Sequence, residues 1–295
     1  MTDGLIAVSG ASGGVGRRVA RRLAHRGLPQ RLIARDPSRL EAPPAAEVCT
    51  ISGYHARTEV RRALDGVSTL FLIPATESPG RTSDQRATVE AAAEAGVRHI
   101  VYLSFLGASP ESTFTFARDH WATEQDVRRT ASAFTFLRMN TYLDFVPKLA
   151  GPDGLITGPA GDGRLSAVLR DDLADVAAAV LASAGDHAGK TYDVTGGQAF
   201  TLAEAAAEMS HASGRRITFR NQTPQEAYQT RSGSGAPSWE VEGWVSSYTA
   251  IAAGELAAVS DVVPRLAGHP PVTLAGYVTA NPDSLAHVRR NGQRG

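Results

Sequence analysis

The chain holds a single cysteine, Cys49, so no intramolecular disulfide can staple it. It holds only two lysines, Lys148 and Lys190, with the rest of its basic charge carried by arginine. It has no excess of either sign, since 30 basic and 30 acidic residues cancel. Without a global field, binding to nucleic acid or an anionic membrane is disfavoured and a small-molecule partner fits better. No apolar stretch approaches the roughly 18 residues of a membrane span. The start Met1-Thr2-Asp3-Gly4-Leu5 lacks the basic and apolar regions of a signal peptide, so a soluble, cytoplasmic protein is expected. A metal framework is missing too: the eight histidines are scattered, His-Glu-x-x-His does not occur, and one cysteine supplies no zinc site. The 295 residues suffice for one large or two modest domains.

What is present is rhythm. Leu5 to Val8, Leu32 to Ala34, Val48 to Ile51, Thr69 to Ile73, Ile100 to Leu103 and Phe134 to Leu137 read as six short strands separated by helical patterns. That alternation predicts an α/β fold with a parallel, doubly wound sheet. Val15, Val19 and Leu23 recur every four residues and line one helix face, as do Val89, Ala92 and Ala93 before Gly96, which is placed to end its helix in a left-handed cap. Beyond about Leu137 the rhythm loosens. Asp171 or Asp172 is expected to cap a helix, and Thr201-Leu202-Ala203-Glu204 has the spacing of a capping box. Residues 229–238 combine two glycines with three serines and read as a mobile loop or lid.

Val8-Ser9-Gly10-Ala11-Ser12-Gly13-Gly14-Val15-Gly16 joins the first strand to the first amphipathic helix. Glycine is needed where a chain turns sharply off a strand, where backbone approaches a pyrophosphate, and where helix meets sheet. The free amides and positive dipole end of such a helix hold phosphate. Gly10, Ser12, Gly13, Gly14, Val15 and Gly16 are therefore expected to contact a dinucleotide. Arg35 stands about where such folds read the ribose, roughly 20 residues past the glycines. A guanidinium there pairs with a 2′-phosphate, so NADP(H) is preferred over NAD(H), with Asp36 the counter-argument. Arg39 reads either as a second phosphate contact or as a solvated charge.

Pro74 and Ala75 after the fourth strand, and Ser104 and Phe105 at the end of the fifth, fall where doubly wound folds bind ligands and are assigned to the cofactor. Phe105 is also a candidate to stack on the substrate. Asn140 and Tyr142, just past the sixth strand, are candidate polar and aromatic substrate walls. Trp239, Trp244 and Tyr248 read either as an aromatic cover for a planar substrate or, with Ile251, as one buried helix face.

The glycine pattern, Arg35, Gly53-Tyr54 and Ala63-Leu64-x-Gly66-Val67 together resemble the atypical short-chain dehydrogenase/reductases of the NmrA-like group. Within that group the chain is similar to the type 2 NAD(P)H:quinone oxidoreductases. This likeness rests on His120-x-x-x-Glu124, Phe136-Leu137-Arg138, Asp172-Leu173-Ala174-Asp175-Val176, Tyr192-x-Val194-Thr195-Gly196, Tyr248-x-Ala250-Ile251-x-x-Gly254 and Gly268-x-Pro270-Pro271. The resemblance implies a Rossmann domain over residues 1–150 and a smaller, mostly C-terminal α+β substrate-binding part over 151–295, interleaved with a late Rossmann strand and helix, with the cofactor between them. It leaves a homodimer open.

Standard short-chain dehydrogenases use a Tyr-x-x-x-Lys pair, in which the ammonium lowers the tyrosine pKa so that the phenol shuttles a proton. Neither lysine here stands four residues after a tyrosine. Ordinary ketone chemistry is disfavoured, whereas a quinone accepts hydride without strong protonation of its oxygen. An NADPH-dependent reductase acting on a planar or aromatic quinone-like carbonyl is the expectation, in general metabolism or as a tailoring enzyme of secondary metabolism. A non-catalytic NADP-binding sensor and a non-redox cyclase or isomerase are the alternatives. His120 is the candidate proton donor, against a purely structural reading of the same imidazole.

Overall fold

The computed structural model describes residues 4–289; Met1 to Asp3, on which the reading of the amino terminus partly rests, lie outside them. The strands are β1 (Leu5–Val8), β2 (Gln30–Ala34), β3 (Glu47–Thr50), β4 (Val67–Leu72), β5 (His99–Phe105), β6 (Ala133–Met139), β7 (Leu155–Gly158), β8 (Arg164–Leu165), β9 (Lys190–Val194), β10 (Phe200–Thr201) and β11 (Thr218–Asn221). The helices are α1 (Gly16–His25), α2 (Arg57–Ala63), α3 (Arg81–Glu94), α4 (Thr115–Thr130), α5 (Arg170–Ala182), α6 (Leu202–Ser213), α7 (Pro224–Ser232), α8 (Ser238–Ala252), α9 (Val262–Ala267) and α10 (Leu274–Ala280). Among the described residues, no helix is long and apolar enough to cross a membrane.

Seven strands form one parallel sheet in the order β3-β2-β1-β4-β5-β6-β9. The order reverses direction at β1, which pairs with β2 on one side and β4 on the other, and so opens a crevice at the carboxyl ends of β1 and β4. Helices cover both faces. Val19 and Leu23 of α1 pack with Leu173 and Val176 of α5 against Ile6 and Val8. On the other face Val60, Val89, Ala92 and Val127 pack on Ala7, Leu70, Ile100 and Tyr102. β5 is buried along its whole length, as a central parallel strand requires. The six expected strands are all present; β9 is not read from the residue pattern, because Lys190-Thr191-Tyr192-Asp193-Val194 mixes charge and apolar character as an edge strand does, and only the resemblance implies a late strand.

A second apolar cluster gathers at the carboxyl ends of β5 and β6. Phe105 and Leu106 join Leu143 and Val146 of a 3-10 segment, Leu143–Leu149, together with Leu165, Ile251, Leu256, Leu202 and Met209. Two short pairings, β8 with β10 and β7 with β11, support it.

Two local expectations are corrected. Residues 229–238 are not one mobile loop: the Thr223 and Glu226 capping box and Pro224 start α7, Ala227 buries against Val241 and Val245, and only 233–237 link α7 to α8. Gln229, Thr230 and Ser232 of that stretch lie on the solvent side of α7. Neither Asp171 nor Asp172 caps α5. Asp171 pairs with Arg18 and Arg22, and Asp172 accepts the amide of Val272. The capping box at Thr201 and Glu204 and the left-handed Gly96, at φ +77°, form as expected.

Asn140 is also corrected. It is fully buried and not a substrate wall: its Nδ2 donates to the carbonyl of Leu256 at 2.9 Å and to Ser166 Oγ at 2.9 Å, and its Oδ1 accepts the amide of Thr141 at 2.7 Å. Asn140→Asp keeps the shape but sets a carboxylate oxygen against the Leu256 carbonyl. Chemical denaturation should show a loss of about 3 kcal/mol, and an unchanged midpoint would remove Asn140 from its structural role.

Candidate active site

At the end of β1 the Ser9 hydroxyl accepts the amide of Ile73 at 2.8 Å and donates to the carbonyl of Phe71, which ties β1 to the end of β4. The chain then turns at Gly10, whose φ of +57° is left-handed backbone. Gly16 has no room for a side chain: a Cβ there would lie 2.4 Å from the carbonyl oxygen of Gly10. The amide of Gly13 bonds back to Gly10, while those of Ser12, Gly14 and Val15 make no backbone bond among the described residues. These donors surround the amino end of α1, and the cradle fits a pyrophosphate both sterically and electrostatically. Tyr54 closes one side, with its phenol 3.5 Å from where a Cβ on Gly10 would stand.

Arg170, the first residue of α5, closes the other side. Its Cδ lies 3.3 Å from where a Cβ on Gly14 would be. Its Nη1 bonds Asp144 at 2.5 Å, and its guanidinium sits 3.8 Å above the ring of Tyr142. The sequence reading missed Arg170, since no local spacing relates position 170 to position 14. Tyr142 is thereby placed beside the nucleotide turn, and burial pushes its phenol up to about 12 despite Arg170.

Arg35 is exposed at the end of β2 and makes no hydrogen bond or ion pair among the described residues. Asp36 is committed to its own turn: it accepts from Ser38 N at 3.0 Å and Ser38 Oγ at 2.6 Å, and these bonds hold its carboxyl below the usual range. Arg39 is exposed beside it. Pro74 and Ala75 lie half-buried after β4, at the crevice edge.

Other candidates turn inward. The Ser104 side chain is fully buried and donates to Glu124 Oε1 at 2.6 Å, beneath the paired Arg138, so this hydroxyl is unavailable to a cofactor. His120 is 3% exposed, with Nε2 3.1 Å from Arg81 Nη2 and Nδ1 3.0 Å from the Tyr102 hydroxyl. Burial first, and the Arg81 charge second, hold the imidazole well below its usual range. A neutral ring with both nitrogens engaged is a poor proton donor, which corrects the expectation for His120. Phe105 packs edge-on against Phe114 at 4.9 Å and lies 6.0 Å from the His120 ring.

The aromatic residues of α8 divide. Trp239 packs on Phe116, 6.1 Å away, whereas Trp244, Tyr248 and Ile251 share one face that lines a cavity of about 250 Å³. Thr141, Phe145, Leu149, Leu165, Arg231 and Ser247 complete its wall. Thr141 is thus the link between the cavity and Tyr142.

A family described as NAD(P)H-binding matches residues 10–184, a span that begins at the glycine turn and includes Arg170. The chain belongs to this NAD(P)H-binding family. It is 32% identical to quinone oxidoreductase 2 of Escherichia coli (strain K12), across 93% of this chain and 98% of that one. It is 34% identical to the (4-alkanoyl-5-oxo-2,5-dihydrofuran-3-yl)methyl phosphate reductase of Streptomyces griseus subsp. griseus, across 90% and 94%. The crystal structure of an NADPH-dependent quinone oxidoreductase from Escherichia coli, complexed with NADPH, superimposes with a TM-score of 0.86 at 31% identity, across 93% of this chain and 99% of that one. This NAD(P)H-binding protein is an NAD(P)H-dependent oxidoreductase with a seven-stranded Rossmann-type sheet.

In this NAD(P)H-binding fold the buried His120 and His99 and the half-buried His187 carry a pH signature. His120, His99 and His187 are all lowered by burial first. The unfolded chain takes up protons near pH 6.5 that the folded chain refuses, so stability is full above that pH and is lost as pH falls below it. Denaturation midpoints should drop between about pH 7.5 and pH 5.5, with a shallower drop in His120→Asn. An equal slope in the variant would mean that His120 titrates normally in the fold.

Proposed function

We propose that this oxidoreductase passes hydride from NADPH to a quinone or a similarly conjugated carbonyl of planar, aromatic shape. The carrying observation is that, among the described residues, neither the imidazole beside Phe105 nor the two phenols of the site are shifted toward releasing a proton near neutrality. His120 is held neutral, and burial raises both Tyr102 and Tyr142. No lysine stands beside either phenol in a Tyr-x-x-x-Lys pair. A simple ketone becomes an alkoxide on reduction and needs an acid at its oxygen, whereas a quinone becomes a stabilised phenolate that water can protonate later. NADPH supplies the hydride when bound, and the protein's task is to hold the acceptor against it.

The glycine turn and the free amides of Ser12, Gly14 and Val15 hold the pyrophosphate, flanked by Arg170. Arg35, unpaired while Asp36 is occupied, reads the 2′-phosphate and selects NADPH over NADH. Phe105 and Tyr142 bound the reacting end, and His120 is a positioning residue that anchors Arg81 and Tyr102 behind Phe105. Trp244 and Tyr248 line the space for the acceptor rings. The relatives named as reductases of a quinone and of an acyl-dihydrofuranone phosphate support a conjugated acceptor.

Purified protein should oxidise NADPH with naphthoquinones and leave aliphatic ketones untouched; turnover of both classes would overturn the acceptor assignment. NADPH binding without any turnover would support the sensor instead. Arg35→Glu should raise KM for NADPH roughly tenfold or more and leave KM for NADH little changed. An equal effect on both cofactors would remove Arg35 from 2′-phosphate recognition.

A further inference from the structure

The cavity beside Thr141 is apolar on most of its wall, yet it contains one full charge. Arg231, in the last turn of α7, is half-buried there, with its guanidinium 5.1 Å from the ring centre of Tyr248. Its bonds go to neutral groups: Nη2 to the carbonyl of Thr157 at 2.9 Å, and Nη1 to Gln222 Oε1 at 3.3 Å and to the carbonyl of Ala227 at 3.4 Å. Among the described residues no carboxylate pairs with it. By contrast, Arg18, Arg22, Arg138 and Arg170, which are similarly enclosed, each have an aspartate or glutamate partner. A held but uncompensated guanidinium facing Trp244, Phe145 and Tyr248 is built to receive an anion attached to an aromatic ring.

We infer that this cavity selects acceptors whose planar ring system carries an anionic substituent, a sulfonate, carboxylate or phosphate, with the rings between Phe145 and Trp244 and the anion on Arg231. The inference rests on the reductase reading for turnover, but the binding it predicts does not depend on turnover. Arg231 touches the far edge of the substrate, so its removal weakens binding without altering the hydride step.

The test compares 1,4-naphthoquinone-2-sulfonate with 2-methyl-1,4-naphthoquinone as acceptors, and measures anthraquinone-2-sulfonate binding by quenching of tryptophan fluorescence. Arg231→Met should raise KM for the sulfonate and Kd for the anthraquinone sulfonate about tenfold or more, a loss much larger than its effect on KM for the neutral quinone. Arg231→Lys should recover part of the loss. Because Arg231 also braces Thr157, a second variant, Ser247→Asp, leaves that contact intact and sets a carboxylate in the same cavity; it should produce the same selective loss. If both variants treat the two quinones alike, or leave sulfonate binding unmoved, the inference is wrong. If the wild type reduces neither quinone but binds the anthraquinone sulfonate through Arg231, the hydride reading fails and the anion site stands.

Discussion

The side-chain amide of Asn140 joins the sheet to the rest of the molecule. It stands immediately after β6 and reaches Leu256 and Ser166, while its own backbone amide bonds the carbonyl of Val194 at the end of β9. Ser166 extends the junction, because its amide bonds Leu256 and its hydroxyl bonds the carbonyl of Ala258. A primary amide buried without partners costs several kcal/mol, and here its contacts satisfy both ends. The turn so fixed sends Thr141 into the aromatic cavity and Tyr142 under Arg170. The aromatic cavity and the glycine turn are therefore held in register by one buried residue.

From that junction the electrostatics of the site follow. Arg170 is paired by Asp144 and stacked on Tyr142 beside the glycine turn, so its position is set before any ligand arrives. Behind Phe105, Arg81, His120, Tyr102 and Gln85 form a buried polar chain, with Asp119 3.7 Å from Arg81. Burial first, with the Arg81 charge added to it, keeps His120 unprotonated, and burial keeps Tyr102 protonated. In the proposed reaction such a site orients and desolvates, and it leaves proton delivery to water. That division of labour suits acceptors that hold their new charge by conjugation.

Much of this was legible in the sequence, for physical reasons that are local. The sheet could be read because buried parallel strands are short β-branched runs and their helices repeat every three to four residues. The glycine turn could be read because Gly10 and Gly16 answer to backbone sterics, which act between near neighbours. What failed was side-chain direction and long-range partnership. Ser104 and Asn140 stand at the carboxyl ends of strands, as expected of ligand-contacting residues, but their side chains turn inward to Glu124 and to Leu256. His120 could not be assigned because the burial that keeps it neutral, and its Arg81 partner, come from elements far from it in the chain. Arg170 and Arg231 left no local signature, since each matters through what the fold brings beside it.

In the proposed reaction, hydride transfer proceeds without a protein acid at the acceptor oxygen. The most direct measurement is a single-turnover reaction of the NADPH-loaded enzyme with a naphthoquinone, in water and in deuterium oxide, using NADPH protiated or deuterated at the transferred position. Transfer without a protein acid should give a clear primary isotope effect on the rate together with a solvent isotope effect of about one. A solvent effect of roughly two or more on the same step would mean that a proton moves with the hydride, and would contradict it.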